Sequence, residues 1–206
     1  MKTAIRTALL ASALAFCSTV VMAQQITESS PLFLRTDNYF KLPNGRHMGS
    51  TNTVFGDSHG NIWVAERCGN NDCAGSPLDP IMEFDSQGNF VKSFGAGKVL
   101  FPHYIYIDQK DNICIVDGHN DGKIGDDVLE FDANGKLLMT LGTPGVAGND
   151  HSHFHEPSSV LVAPNGGIFV GDGHSQDKGN ARIVKFDANG KYLTEWGGHG
   201  RADGKM

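Results

Sequence analysis

One short motif occurs three times in the chain, as FDSQGN at residues 84–89, FDANGK at 131–136 and FDANGK at 186–191. Before each copy lies a stretch rich in apolar and β-branched residues, at 61–66, 112–117 and 167–172. Such stretches, bounded by Asp, Asn and Gly turns, are typical of short β-strands. Their starts are separated by 51 and then 55 residues, which indicates an internal structural repeat.

Each repeat contains four predicted strands, which in the second repeat are residues 104–107, 112–116, 128–131 and 137–141. A unit of about 50 residues with four antiparallel strands is typical of a β-propeller blade. We therefore predict an all-β propeller region over residues 49–206, preceded by an N-terminal extension or strand at 24–48. Its blades span roughly 49–97, 100–145 and 154–199.

Three blades cannot close a ring, because propellers close with about 4 to 8 blades. The sequence is therefore expected to be the front part of a longer protein. The alternative is a short chain that closes its ring by assembling with copies of itself.

The first 23 residues have the pattern of a secretory signal peptide. A basic start with Lys2 and Arg6 is followed by an apolar run over 8–21, and Ala23 precedes the predicted cleavage site. The run is shorter than the ~20 residues that a membrane-spanning helix needs. We expect a bacterial-type exported protein in the periplasm or outside the cell. Lipoprotein processing at Cys17 is the less favoured alternative, because bulky Phe16 precedes that cysteine.

Composition narrows the class of protein further. A hydrophobic fraction of 39% with 26 glycines describes a soluble, loop-rich globular chain. The net charge of −6 and the lack of a basic cluster argue against a nucleic-acid partner. In an oxidising compartment Cys68 and Cys73 are expected to form a disulfide, and Cys114, within a predicted strand, is expected to be buried.

Four side chains are candidates for chemistry because of their places in the blades. The loops before the first strand and after the second strand of each blade open at the same end of a propeller. These loops carry Arg67, His103, His119 and His174, which are therefore predicted to share one mouth. Imidazole and guanidinium groups together can bind a metal ion or an anion. No phosphate-binding glycine loop and no Ser-His-Asp spacing is present.

Several segments resemble the peptidyl-α-hydroxyglycine α-amidating lyases, a family of NHL-repeat propellers. They are FPHYIYID at 101–108, LMTLG at 138–142, FHEP at 154–157, IFVGDGH at 168–174 and ARIVKF at 181–186. The similarity covers most of residues 40–200. It implies a six-bladed propeller that cleaves a peptidyl-α-hydroxyglycine into a peptide amide and glyoxylate. It also implies a zinc ion held by three histidines from separate blades, with a structural calcium ion nearby.

The resemblance assigns roles to three residues of this chain. His103 matches the first zinc ligand, and Arg67 matches an arginine that holds the substrate or lowers the pKa of the catalytic group. His174 stands where the family has its catalytic tyrosine. A neutral imidazole, with a reference pKa near 6.5, is able to take a hydroxyl proton, but the change also fits a chain without lyase chemistry. The other zinc ligands are expected beyond Met206.

Each of these residues also has a structural alternative. His103 is equally consistent with a turn histidine that bonds a neighbouring blade. Arg67 is consistent with an arginine that bonds backbone carbonyls or pairs with Glu66 or Asp79. His174 is related to the second-blade histidine by the repeat itself, and it is consistent with a hydrogen bond between blades.

Two polar segments have weaker metal-binding signals. The alternating His151, His153 and His155 resemble a chelating run, but solvated histidines are favoured in such a loop. The acidic loop 117–127 lacks the residue order of an EF-hand, so a solvated turn is favoured over a calcium site. The cysteine pair that flanks the catalytic tyrosine in animal lyases is replaced by His155 and Ser175.

Two functions remain open from the sequence. The first is an exported, metal-dependent lyase-like propeller acting on a small or peptide substrate with an α-hydroxylated end. The second is a non-catalytic NHL propeller that binds a protein or a small ligand at its channel mouth. Fold alone does not separate them, because propellers support many functions.

Overall fold

The computed structural model describes residues 36–174 and 179–205. These residues form strands and turns, with a single short 3₁₀ turn at Pro43–Gly45 as their helical segment. The strands are β1 Thr51–Gly56, β2 Ile62–Glu66, β3 Ile81–Phe84, β4 Phe90–Phe94, β5 Pro102–Ile107, β6 Ile113–Asn120, β7 Gly125–Phe131, β8 Leu137–Leu141, β9 Pro157–Val162, β10 Ile168–Asp172, β11 Arg182–Phe186 and β12 Tyr192–Gly197.

The strands form three separate four-stranded antiparallel sheets, β1 to β4, β5 to β8 and β9 to β12. In each sheet the strands are ordered as in the chain, which is the layout of a propeller blade. The first strands of neighbouring blades lie together, β1 against β5 and β5 against β9. The predicted all-β fold with three blades is therefore confirmed. The closure of a ring stays a prediction.

The repeated motif forms the turn between the third and fourth strands. In the second copy, one carboxylate oxygen of Asp132 accepts the N–H groups of Asn134 and Lys136 at 2.8 and 2.9 Å. Gly135 adopts φ +82°, and a Cβ there would lie 2.6 Å from the ring of Phe94 in the preceding blade. The glycine thus permits both the turn and the close approach of two blades.

Two apolar layers hold the blades together. The layer between the first and second blades is centred on Trp63, Ile81, Ile105, Ile115 and Phe131. The layer between the second and third blades contains Val116, Phe154, Val170, Val184 and Phe186. Successive side chains of a strand point to opposite faces of its sheet, so the second blade contributes residues to both layers.

The outer face of the first blade is covered by the chain segment that precedes β1. Phe40, Leu42 and Met48 pack against buried Met82 and Phe84. This segment adds one isolated parallel bridge, between residues 41 and 89, where the sequence had suggested a strand. The compact unit begins at residue 38.

The predicted signal peptide, residues 1–23, lies outside the described residues. In the part of the chain that the structure does describe, no helix is long and apolar enough to cross a membrane. The third blade exposes Leu161, Leu193 and Trp196, each about half accessible to solvent.

The two cysteine predictions agree with the structure. Cys68 and Cys73 form a disulfide, and Cys114 is a buried free thiol on β6.

We expect the Cys68→Ser, Cys73→Ser double variant to lose about 2 kcal/mol of unfolding free energy, because the bond closes a short loop. Urea unfolding of the purified protein measures this loss. Dithiothreitol should bring the wild type to the same midpoint, and a wild type insensitive to the reductant would contradict the prediction.

Candidate functional site

The second strand of every blade carries a buried acid that holds the chain before the first strand. Glu66 accepts the N–H of Gly49 at 2.7 Å. Asp117 accepts the N–H groups of residues 100 and 101 at 2.7 and 2.5 Å. Asp172 accepts the N–H of residue 155 at 2.8 Å. These bonds bring the start of the first strand and the end of the second strand together at one end of each blade.

The first strand of each blade carries a bulge at an equivalent position. The pairing registers skip Asn52 in β1, His103 in β5 and Ser158 in β9. A bulge leaves one residue outside the ladder and redirects its side chain. The three bulges are hydrogen-bonded in series, because the Asn52 amide donates to the His103 carbonyl at 2.6 Å and Nδ1 of His103 lies 3.0 Å from the Ser158 carbonyl.

The structure brings the four predicted site residues together at this end. The rings of His103 and His174 are in edge contact, with their centroids 4.5 Å apart. Arg67 places its guanidinium 3.4 Å from the centroid of the Phe101 ring, and His119 stacks on that ring at 4.0 Å. Phe101 was not among the residues singled out by the sequence, although it precedes the Pro-His pair directly.

Arg67 bonds a backbone carbonyl, in agreement with one structural alternative from the sequence, whereas the acid that precedes it pairs with another arginine. Its Nε donates to the Pro102 carbonyl at 3.4 Å and its Nη1 to Asn71 at 3.1 Å. The buried Glu66 pairs instead with Arg46, which also donates to the Asp79 carbonyl. A guanidinium has five N–H donors, so Arg67 retains donors for a ligand beyond these two bonds.

The electrostatics of the site favour a neutral His103. Burial lowers the pKa of His103 from its ordinary value of 6.5, and the charges of His174, Arg67 and His119 lower it further. The bond to the Ser158 carbonyl acts in the opposite direction. A neutral imidazole is the form that ligates metals and accepts protons.

His103 meets the requirements of one zinc ligand. When its Nδ1–H donates to the Ser158 carbonyl, the lone pair of the ring is on Nε2, and such an oriented imidazole is typical of metal ligands. Within residues 36–174 and 179–205, however, no three His, Cys, Asp or Glu side chains are close enough to hold a metal ion. The described residues therefore fit one ligand of a zinc site and not a complete site.

The acidic loop 117–127 differs from the solvated turn that the sequence favoured. Strands β6 and β7 extend into it, so that Asp117 and Asp127 face each other in register and are both buried. Burial raises the pKa of Asp117 to about 7. Burial, together with the charges of Asp117 and Asp126, raises the pKa of Asp127 to about 8. Only the tip around Asp121 is exposed, as expected for a turn.

In the first and third blades the equivalent acid pairs with an arginine, Glu66 with Arg46 and Asp172 with Arg182. Asp172 faces Arg182 in register, and the Arg182 Nε lies 2.8 Å from its carboxylate. In the second blade Asp127 occupies the position of that arginine, and its buried Oδ1 has no hydrogen-bond partner. The middle blade thus contains two opposed carboxyl groups where its neighbour has an ion pair.

The three histidines of the loop before β9 do not form a chelate. His153 lies 2.7 Å from the carboxylate of Asp150, and His151 stacks on Tyr192. The backbone of His155 bonds Asp172. Ser175 lies outside the described residues.

Comparison with known proteins identifies relatives of the chain. No protein-family model matches it. A probable peptidyl-alpha-hydroxyglycine alpha-amidating lyase of Caenorhabditis elegans is 38% identical over 107 residues, which are 51% of this chain and 28% of the worm protein. The peptidylglycine alpha-amidating monooxygenase of Rattus norvegicus is 33% identical over 125 residues, 58% of this chain and 12% of the rat protein. About half of the chain is therefore similar in sequence to proteins named as amidating enzymes.

The NHL-repeat assignment has separate support. The mouse NHL repeat-containing protein 3 is 27% identical to this chain over 165 residues, 77% of this chain and 44% of that protein. The chain spans less than a third of the length of the worm and rat proteins that it matches.

Proposed function

We propose that this protein acts on the hydroxylated end of a peptidyl-α-hydroxyglycine and releases a peptide amide and glyoxylate. The observation that carries the proposal is the meeting of Arg67, His103 and His174 at one mouth, in a chain that is similar in sequence to the amidating lyases. The activity, the zinc ion and export of the protein are all parts of this proposal. The structural calcium ion stays a prediction from the resemblance.

Arg67 binds the carboxylate of the substrate through the N–H donors that its contacts with Pro102 and Asn71 leave over. This ion pair orients the hydroxylated carbon towards the two histidines. His174 is exposed at the mouth and in contact with His103, where it accepts the proton of the substrate hydroxyl.

Loss of that proton converts the hydroxyl oxygen into the carbonyl oxygen of glyoxylate as the carbon–nitrogen bond breaks. The departing amide nitrogen takes up a proton, so no oxidant or reductant is needed. A zinc ion, when bound, supplies a Lewis acid for the hydroxyl oxygen. His103 contributes one ligand to it, and the remaining ligands are expected outside the described residues.

The test uses protein made from the full open reading frame, with benzoyl-α-hydroxyglycine as the substrate. We expect glyoxylate release and about one zinc ion per chain by plasma mass spectrometry. His103→Ala should lose the zinc, Arg67→Ala should raise KM, and His174→Ala should lower kcat. His59→Ala is the matched control, because His59 is exposed on the turn between β1 and β2. Wild-type protein that contains zinc and releases no glyoxylate would overturn the proposal and favour a binding role.

A further inference from the structure

Phe101 lies between the side chains of Arg67 and His119. The guanidinium carbon of Arg67 is 3.4 Å from the ring centroid. The His119 ring is stacked at 4.0 Å with an angle of 11° between the planes. Two groups this close to one centroid would overlap on a single face, so they occupy opposite faces of the Phe101 ring.

The backbone of Phe101 is held on both sides. Its N–H donates to the buried carboxylate of Asp117 at 2.5 Å, and its carbonyl accepts the N–H of Gly118 at 3.0 Å. The next carbonyl, that of Pro102, accepts the Nε of Arg67. The aromatic ring is therefore fixed to the second blade, whereas Arg67 comes from the first.

We propose that Phe101 is a positioning residue that holds Arg67 in the orientation that binds a carboxylate. The proposal rests on the proposed function. It names the residue that sets the orientation in which Arg67 binds the substrate carboxylate. A guanidinium lying over an aromatic face is attracted to the ring quadrupole and keeps its N–H groups at its edge. A carboxylate then approaches in the guanidinium plane, in the bidentate geometry that arginine favours.

His119 completes the arrangement from the other face. The His119 ring stacks on the face of Phe101 that is opposite Arg67. This contact prevents the Phe101 ring from rotating away from the guanidinium. The ligand class that fits is a small planar carboxylate, and glyoxylate is the simplest member to use as a probe.

The test compares Phe101→Leu with Phe101→Tyr. Leucine keeps the apolar bulk but has no aromatic face, whereas tyrosine keeps the face. We expect Phe101→Leu to weaken glyoxylate binding, measured by calorimetry, roughly three- to tenfold. KM should rise by a similar factor with kcat little changed, and Phe101→Tyr should stay within about twofold of the wild type.

A spectroscopic readout checks the stack itself. In proton NMR, the C–H protons of His119 should be shifted upfield by the ring current in the wild type and in Phe101→Tyr. The shift should disappear in Phe101→Leu. Wild-type protein that does not bind glyoxylate, or equal binding by wild type and Phe101→Leu, would overturn the proposal.

These results separate the two proposals. Weaker glyoxylate binding in Phe101→Leu without lyase turnover in the wild type would retain the positioning role and reject the lyase function. Normal lyase turnover with an unchanged KM in Phe101→Leu would retain the function and reject the positioning role.

Discussion

Replacing Arg182 with methionine should lower the free energy of unfolding by about 3–5 kcal/mol. Arg182 is only 6% exposed and pairs with Asp172, which is 1% exposed. It also bonds Glu195 and the carbonyls of residues 149, 150 and 153. The variant leaves a buried carboxylate without its partner and releases the long loop before β9 from the sheet.

Urea unfolding at pH 7 measures this loss. Lys191→Met is the matched control, because it removes an exposed cation from a turn of the same blade. Arg182→Lys should lie between the two, because lysine keeps the charge but cannot donate in several fixed directions. Equal midpoints for Arg182→Met and Lys191→Met would show that the ion pair does not hold the loop.

Replacing Asp127 with asparagine should have the opposite sign and depend on pH. The ordinary pKa of an aspartate is 3.8, and burial raises the pKa of Asp127 to about 8 in the folded protein. Between about pH 4 and pH 8 the folded state therefore holds a proton that the unfolded state has lost. Stability falls as the pH rises through this window and levels off above it.

Asparagine has no carboxyl proton to lose, so the free energy of unfolding of the variant does not decrease through titration of this residue. At pH 8 the variant should be more stable than the wild type by up to about 5 kcal/mol, whereas near pH 4 the two should be alike. Some fall will remain, because the pKa of Asp117 is also raised, to about 7.

The measurement is urea unfolding of both proteins at half-unit steps from pH 4 to pH 9. Asp121→Asn is the control, because the exposed Asp121 has a lowered pKa, caused chiefly by bonds from the backbone of Ile124 and Lys123. Its effect should not vary across this window. A constant difference between Asp127→Asn and the wild type at every pH would contradict the proposed origin of the shift.

The strands could be predicted from the sequence because every blade has the same type of turn between its third and fourth strands. The Asp of each motif closes its own turn through bonds to residues two and four positions later, as Asp132 does with Asn134 and Lys136. Local bonds of this kind depend on neighbouring residues alone. The boundary of β6 was missed, because nothing next to Val116 shows that the ladder continues to Asn120.

The candidate site was readable to the extent that it follows from the repeat. Equivalent loop positions of different blades must meet at one end, so the gathering of Arg67, His103 and His174 was predicted correctly. The sequence did not reveal the partner of Glu66, because Arg46 lies twenty residues earlier in a segment without a repeat. It also gave no sign that Phe101 stacks between side chains of two blades.

By itself, then, the sequence determined the three blades, the disulfide, and the residues that share the mouth. These features depend on the repeat period and on local turns, which are set by residues that are close together in the sequence. Only the tertiary structure decided that the three bulges are linked in series, that Phe101 lies beneath Arg67, and that Asp117 faces Asp127 without a cation between them. The first two depend on residues more than thirty positions apart, whose separation in space is set by how whole blades pack, and the third depends on how far the ladder between β6 and β7 extends.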